Sequence, residues 1–398
     1  MKNSIIRLVI LLCLGLTIYS CSVTKDEQII EDQLDQDLTL QVEDNYVVML
    51  KQDLSSARTK NISFSQRQVI MKGEAEAFVS EFSLPSSSIN RVYGGVFNGF
   101  SLKISSQAIL NSMKNDPRVL SIEKDQIFTL AKPTVGGVST SSTQSTPWGI
   151  TRIGGSVAYT GSNVAYVMDT GIDLDHPDLN VEESLGFNAF TWGRDSRSLD
   201  DGNGHGTHVA GTIAALDNGF GVIGVAAGAK VVPVKVLNSR GSGSYSGIIA
   251  AIDFIGANGQ PGDVANLSLG GGANSTLDQA VVRAAAFSGV KFILAAGNES
   301  QNANNVSPAR ANGSNVYTIS ASDINDNFAY FSNYGSPVDW CAPGVNILST
   351  TPNGTYSSFS GTSMAAPHAA GVYLVGSAKS SGTVRNDPDG NPDPIISR

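Results

Sequence analysis

Three short stretches of the chain hold side chains whose types and spacing could do chemistry. VAYVMDTGID (164–173) runs an apolar strand into Asp169, NGHGTHVAG (203–211) sets His205 and His208 three residues apart, and SSFSGTSMAAPHAAG (357–371) carries Ser363. A serine hydroxyl becomes a nucleophile when a base lies within hydrogen-bond reach and a third group orients that base. Asp, His and Ser can fill those parts. The chain has only four histidines, and the pair at 205 and 208 admits three readings: a metal pair, a base with a bystander, or two core residues. H-x-x-H on a helix, with no Glu between and no third ligand nearby, makes a poor zinc site. His176, in HPDL, and His368, on the helix that follows Ser363, read as structural.

The elements that must hold these residues follow from periodicity. VAYVM, VVPVKVL, VANLSL, VKFILAA and VYTISA are continuous apolar runs, expected when both faces of a parallel sheet are covered. Helical runs over 205–216, 245–256 and 276–287 alternate with them. That alternation predicts a doubly wound α/β domain over 147–378, with its site at the carboxyl ends of the strands. Asp169 ends a strand there, and Gly171 permits a sharp exit. His205 and Ser363 each open a helix, and Gly361 lets the backbone approach Ser363 closely.

Ahead of this domain, residues 45–131 read strand, helix, two strands, helix, strand. YVVML (46–50) is a strand, 66–82 repeats apolar residues at helical spacing, and Asn98-Gly99 marks a turn. A second helix over 106–115 is stopped by Pro117, and RVLSIEKDQIF (118–128) closes the unit. KPTVGGVSTSSTQST (132–146) has no apolar periodicity and reads as an exposed, cleavable linker, with the cut expected within 137–143. Residues 379–398 are rich in Pro and Asp, and predict a surface strap, a weak calcium loop at Asp387 and Asp389, or disorder.

Residues 1–21 read as a targeting segment: Lys2 and Arg7 precede an apolar run, Leu8 to Ile18, too short to span a bilayer. Ile18-Tyr19-Ser20-Cys21 resembles a bacterial lipobox with Cys21 as the acylated residue, and 22–44 is an acidic tether. The protein is therefore expected outside the cytoplasm, secreted or in the cell envelope and lipid-anchored there. With Cys13 and Cys21 so placed, only Cys341 remains in the folded body, so no disulfide can form within it. The 398 residues carry a net charge of −9, which argues against a nucleic-acid partner. A monomer is expected.

The three motifs, in the order Asp, His, Ser, resemble the subtilisin-like serine proteases nearly residue for residue from Trp148 to about Val375. The resemblance implies that Asp169, His205 and Ser363 form a catalytic triad, with His208 a buried structural partner. It implies that Asn298, in AAGNES, completes the oxyanion hole with the Ser363 amide. It implies that SRGSGSY (239–245) and NLSLGG (266–271) bind the substrate backbone, through Gly241, Gly243, Ser268, Leu269 and Gly270. YGGVFNGFSLKIS and NDPRVLSIEKD resemble the family's inhibitory propeptide, a small ferredoxin-like α+β domain. LDNGFGV (216–222) aligns with the family's calcium loop, and implies a structural Ca2+ held by Gln144, Asp178 and Asn218 with the carbonyls of Leu216, Phe220 and Val222. The implied protein is a secreted, self-inhibited and autoprocessed endopeptidase of polypeptide substrates. A catalytically dead, peptide-binding scaffold is the rival, opposed by the intact Asp169, His205, Asn298 and Ser363. An esterase is disfavoured because the nucleophile lacks a G-x-S-x-G elbow.

Overall fold

The computed structural model describes residues 42–51, 62–130 and 143–398. Cys21, the targeting segment, nearly all of the tether and most of the linker lie outside the described residues.

The amino-terminal unit consists of β1 (Asn45–Leu50), α1 (Phe64–Glu81), β2 (Ile89–Tyr93), β3 (Gly99–Lys103), α2 (Gln107–Lys114) and β4 (Val119–Lys124). Its sheet has the order β2-β3-β1-β4 with antiparallel pairing, the ferredoxin-like arrangement. Helix α1 begins two residues before the predicted 66 because Ser63 and Gln66 form a capping box, each side chain bonding the other's backbone N–H. Met71, Ala75, Phe78 and Val79 make one buried stripe at helical spacing and pack with Val48, Phe100 and Leu102. A short strand β5 (Ile127–Thr129) leaves this unit for the second one.

The second unit is built on a mostly parallel sheet. Its main elements are α3 (Trp148–Arg152), β6 (Ala165–Asp169), α4 (His205–Ala214), β7 (Lys230–Lys235), β8 (Ser242–Ser244), α5 (Tyr245–Asn258), β9 (Val264–Leu267), α6 (Ser275–Ser288), β10 (Lys291–Ala295), β11 (Val316–Ser322), β12 (Val338–Pro343) and α7 (Thr362–Val375). The sheet order runs β7-β6-β9-β10-β11-β12. Alternation along β6 divides the core in two: Ala165 and Val167 face the cluster containing α4 and α7, while Tyr166 and Met168 face that of α5 and α6. Strand β6 lies where the connections change direction across the sheet, so Asp169 at its carboxyl end stands at the crevice such folds use for ligands.

The tail departs from expectation. β13 (Lys379–Thr383) and β14 (Pro394–Ser397) form an antiparallel hairpin, and β14 pairs in parallel with β12 through Cys341 and Ile395. The boundary expected at 378 therefore cuts through a sheet. Phe328, Cys341, Val384 and Ile395 form a small core beneath the hairpin, and Ile396 joins the larger one. The calcium loop suggested for the tail is not assembled. Asp387 accepts the Asp393 and Asp389 N–H groups, Asp393 bonds Ser320, and no cluster of acidic, His or Cys side chains suited to a metal occurs among the described residues.

Candidate active site

Asp169 is fully buried, and both its carboxylate oxygens lie 2.8 Å from His205 Nδ1. His205 is the first residue of α4, so its ring leaves the helix start instead of a helix face. That start touches the strand exit. A Cβ on Gly206 would stand 2.1 Å from the Gly171 carbonyl oxygen, and only glycine fits. Burial opposes charge on His205, but the charge and hydrogen bond of Asp169, joined by the charge of Asp201, outweigh it and raise the imidazole above its ordinary range. His208 behaves differently. Its Nε2 lies 2.9 Å from the Ile347 carbonyl, its ring stacks on Phe359, and burial pushes it down to about 3. It is a neutral core histidine, as expected, and His368 likewise bonds the Met364 carbonyl.

Ser363 is the second residue of α7. Its hydroxyl donates to the Ser268 carbonyl at 3.2 Å, and the Ser268 hydroxyl donates back to the Ser363 carbonyl at 2.8 Å. Among the described residues no hydrogen bond joins Ser363 Oγ to His205. The side-chain oxygen of Asn298 accepts from the Thr362 N–H at 2.8 Å and the Thr362 hydroxyl at 3.1 Å. With its oxygen held there, the amide keeps its NH2 donors for the pocket that Asn298 lines together with Ser363.

That pocket is shared with the amino-terminal unit. β5 pairs antiparallel with β8, Phe128 opposite Gly243 and Thr129 opposite Ser242, and the Leu130 N–H donates to the Gly241 carbonyl at 2.9 Å. Leu130, Ser268, Leu269 and Gly270 line the same pocket as Ser363. All five residues predicted to bind substrate backbone are thus gathered around a strand of the chain itself. Three carboxylates fasten the two units: Asp125 accepts the Ser246 N–H at the start of α5, Glu123 bonds Ser275 and Thr276 at the start of α6, and Asp253 on α5 accepts the Gly95 and Val96 N–H groups. Negative charge at helix amino termini is favourable. Sequence reasoning missed Thr362, Phe128 and these carboxylates; the acidic residues of SIEKD were the available signal.

The six residues expected to bind calcium also converge. Asp178 is buried; its Oδ1 accepts the Asn218 amide at 2.9 Å and its Oδ2 the Val222 N–H at 3.0 Å. Its backbone carbonyl accepts the Leu216 N–H. Gln144 Oε1 accepts the Asn218 and Gly219 N–H groups, and Asn218 Oδ1 accepts that of Phe220. Burial pushes the Asp178 carboxyl up to about 6.

Comparison with known proteins places this assembly. Residues 161–383 match the family described as "Subtilase family", and 45–131 match "Peptidase inhibitor I9". The chain belongs to the subtilase family. The M-protease of Shouchella clausii (strain KSM-K16) is 46% identical over 271 residues, 66% of this chain and 65% of that protein. This subtilase thus spans about two thirds of that relative's length. Subtilisin Savinase of Lederbergia lenta is 50% identical over 236 residues, 58% of this chain and 83% of that one. The crystal structure of a cold adapted subtilisin-like serine proteinase is 35% identical with a TM-score of 0.54, and covers 63% of this subtilase and 97% of that chain.

Proposed function

We propose that this subtilase is a serine endopeptidase made as a self-inhibited precursor. One observation carries the reading: the hydrogen-bonded Asp169–His205 pair stands at the end of β6, which pairs with β9, and the Ser268 that follows β9 bonds Ser363 in a pocket where Ser363 and Asn298 meet a strand of the chain's own amino-terminal unit. In the proposed mechanism Ser363 Oγ attacks the scissile carbonyl and His205 takes its proton, later giving it to the leaving amine. Asp169 fixes the imidazole tautomer and stabilises its charged form. The Asn298 NH2 and the Ser363 N–H receive the oxyanion. Gly241, Gly243 and Ser268 to Gly270 bind substrate as an added strand, so backbone hydrogen bonds supply affinity without demanding a sequence.

In the same reading the amino-terminal domain is the inhibitor, removed by the enzyme's own cut. Leu130 shares the pocket of Ser363, which favours a first cut close to Leu130 over the 137–143 region that the linker's composition alone suggests. Export and acylation at Cys21 belong to this proposal and rest on the sequence of 1–21. So does a structural calcium ion. The residues fit it: a buried carboxylate without a cationic partner faces Asn218 near Gln144, and the Leu216, Phe220 and Val222 carbonyls accept no hydrogen bond among the described residues. The bound ion would supply charge that ties the Gln144 segment to the α4 exit loop.

Fluorophosphonate labelling of the purified protein tests the activity. A label that disappears in Ser363→Ala supports the enzyme; an unlabelled wild type leaves the peptide-binding scaffold.

A further inference from the structure

We propose that Asp201 is a positioning residue of this active site: its carboxylate fixes the Asp169–His205 pair in place from outside it. The proposal rests on the triad reading above.

Asp201 lies in the loop before α4 and is 5% exposed. Its Oδ1 accepts from the Thr170 hydroxyl at 2.8 Å and from the Asn203 and Gly204 N–H groups at 2.9 Å each. Its Oδ2 accepts from the Thr207 N–H at 2.9 Å and the Thr207 hydroxyl at 2.7 Å. Every one of these partners is a donor, which suits an ionised carboxylate and no neutral side chain of that size.

The donors flank both members of the pair. Thr170 follows Asp169, and its N–H donates to Asp169 Oδ1 at 2.7 Å. The Thr170 hydroxyl also accepts the Gly206 N–H at 3.0 Å, from the residue after His205. Gly204 and Thr207 stand on either side of the base. One carboxylate therefore ties the strand residue beside the acid to the helix turn that carries the base. Lys235, buried on β7, holds the Thr170 carbonyl from the other side and pairs with Asp195 at 3.2 Å. Three titratable groups bear on His205: Asp169 on β6, Asp201 in the loop and His208 on its own helix. Of these, Asp169 and Asp201 favour the imidazolium.

The test uses full-length precursors that mature normally, with kcat and KM measured separately on a peptide anilide, kcat/KM across pH, and melting temperature. Asp201→Asn removes the charge and sets an amide against donors. It should lower kcat on the order of ten- to a hundredfold, the scale of a small misplacement of reacting groups, with KM little changed. Its acid limb should move to lower pH, because one charge favouring the imidazolium is gone. Thr170→Val keeps the charge and should lower kcat with the limb in place, and Thr170→Ser should restore it. An unchanged kcat or an unmoved limb in Asp201→Asn overturns the proposal. Should that variant fail to fold, equal kcat in Thr170→Val and Thr170→Ser overturns it instead. A wild type with neither turnover nor label ends the triad reading, and the proposal with it.

Discussion

The Leu130 N–H and the Gly241 carbonyl are 2.9 Å apart, so the amino-terminal domain reaches the cleft by backbone pairing. The pairing sets a register. With Phe128 opposite Gly243 and Leu130 bonded to Gly241 in the pocket of Ser363, the proposed first cut is expected within a residue or two beyond Leu130. Mass spectrometry of the first fragment released by the purified precursor should place its carboxyl end there, and Ser363→Ala should stay uncut. A first fragment ending between 137 and 143, or processing of the pure variant on schedule, would contradict this.

Asn298→Ala should lower kcat roughly 100- to 1000-fold with little change in KM, a range defined by subtilisin's own oxyanion asparagine. Thr362→Val should show a weaker effect of the same kind, since it removes one of the two hydrogen bonds to the Asn298 oxygen and leaves the backbone bond and the NH2 donors in place. If Thr362→Val raises KM alone, its hydroxyl serves substrate binding instead.

The proposed mechanism needs neutral His205, and the surroundings of His205 raise its proton affinity above the ordinary 6.5. Activity should therefore climb with pH through a limb lying above 6.5, and stay low below it. A kcat/KM profile already flat at pH 6 would refute the assignment.

The calcium prediction has a pH signature. In the metal-free fold burial pushes Asp178 from 3.8 up to about 6. Between those values the folded state holds a proton that the unfolded chain releases, so this contribution is lost as pH rises through about 6. Calcium needs the ionised carboxylate and must displace that proton at lower pH. The rise in melting temperature from EGTA to millimolar calcium should thus be larger at pH 8 than at pH 5, with stabilisation of about 2.7 kcal/mol at a hundredfold excess over Kd. Asp178→Ala should abolish the difference. Equal melting temperatures with and without calcium at pH 8 would exclude the site.

The candidate site was legible in sequence because its chemistry is written in contiguous motifs. Asp169, His205 and Ser363 each sit where a strand or helix meets a glycine, and local propensity marks such junctions. Asn298, beyond the end of β10, was read only through the resemblance of AAGNES to the family's oxyanion asparagine. Its anchor was not: the Thr362–Asn298 bond spans 64 residues. The tail hairpin escaped because PIIS (394–397) offers too few apolar residues for a period, and its pairing with Cys341 is a long-range event. The contacts of Asp125, Glu123 and Asp253 escaped similarly, since an acidic residue in sequence looks the same whether it caps a distant helix or faces water.

For the self-inhibited precursor proposed above, the pairing of β5 with β8 also sets the order in which inhibition would end. While the chain is intact, the blocking strand is tethered beside the cleft, and its effective concentration does not depend on how much protein is made. After the bond beyond Leu130 is broken, the same strand becomes a separate ligand, and its occupancy follows mass action. Scission alone therefore changes only the molecularity. Dilution, or destruction of the released fragment by a freed neighbour, would switch the population on, so activity should appear with a lag that shortens once the first free molecules exist.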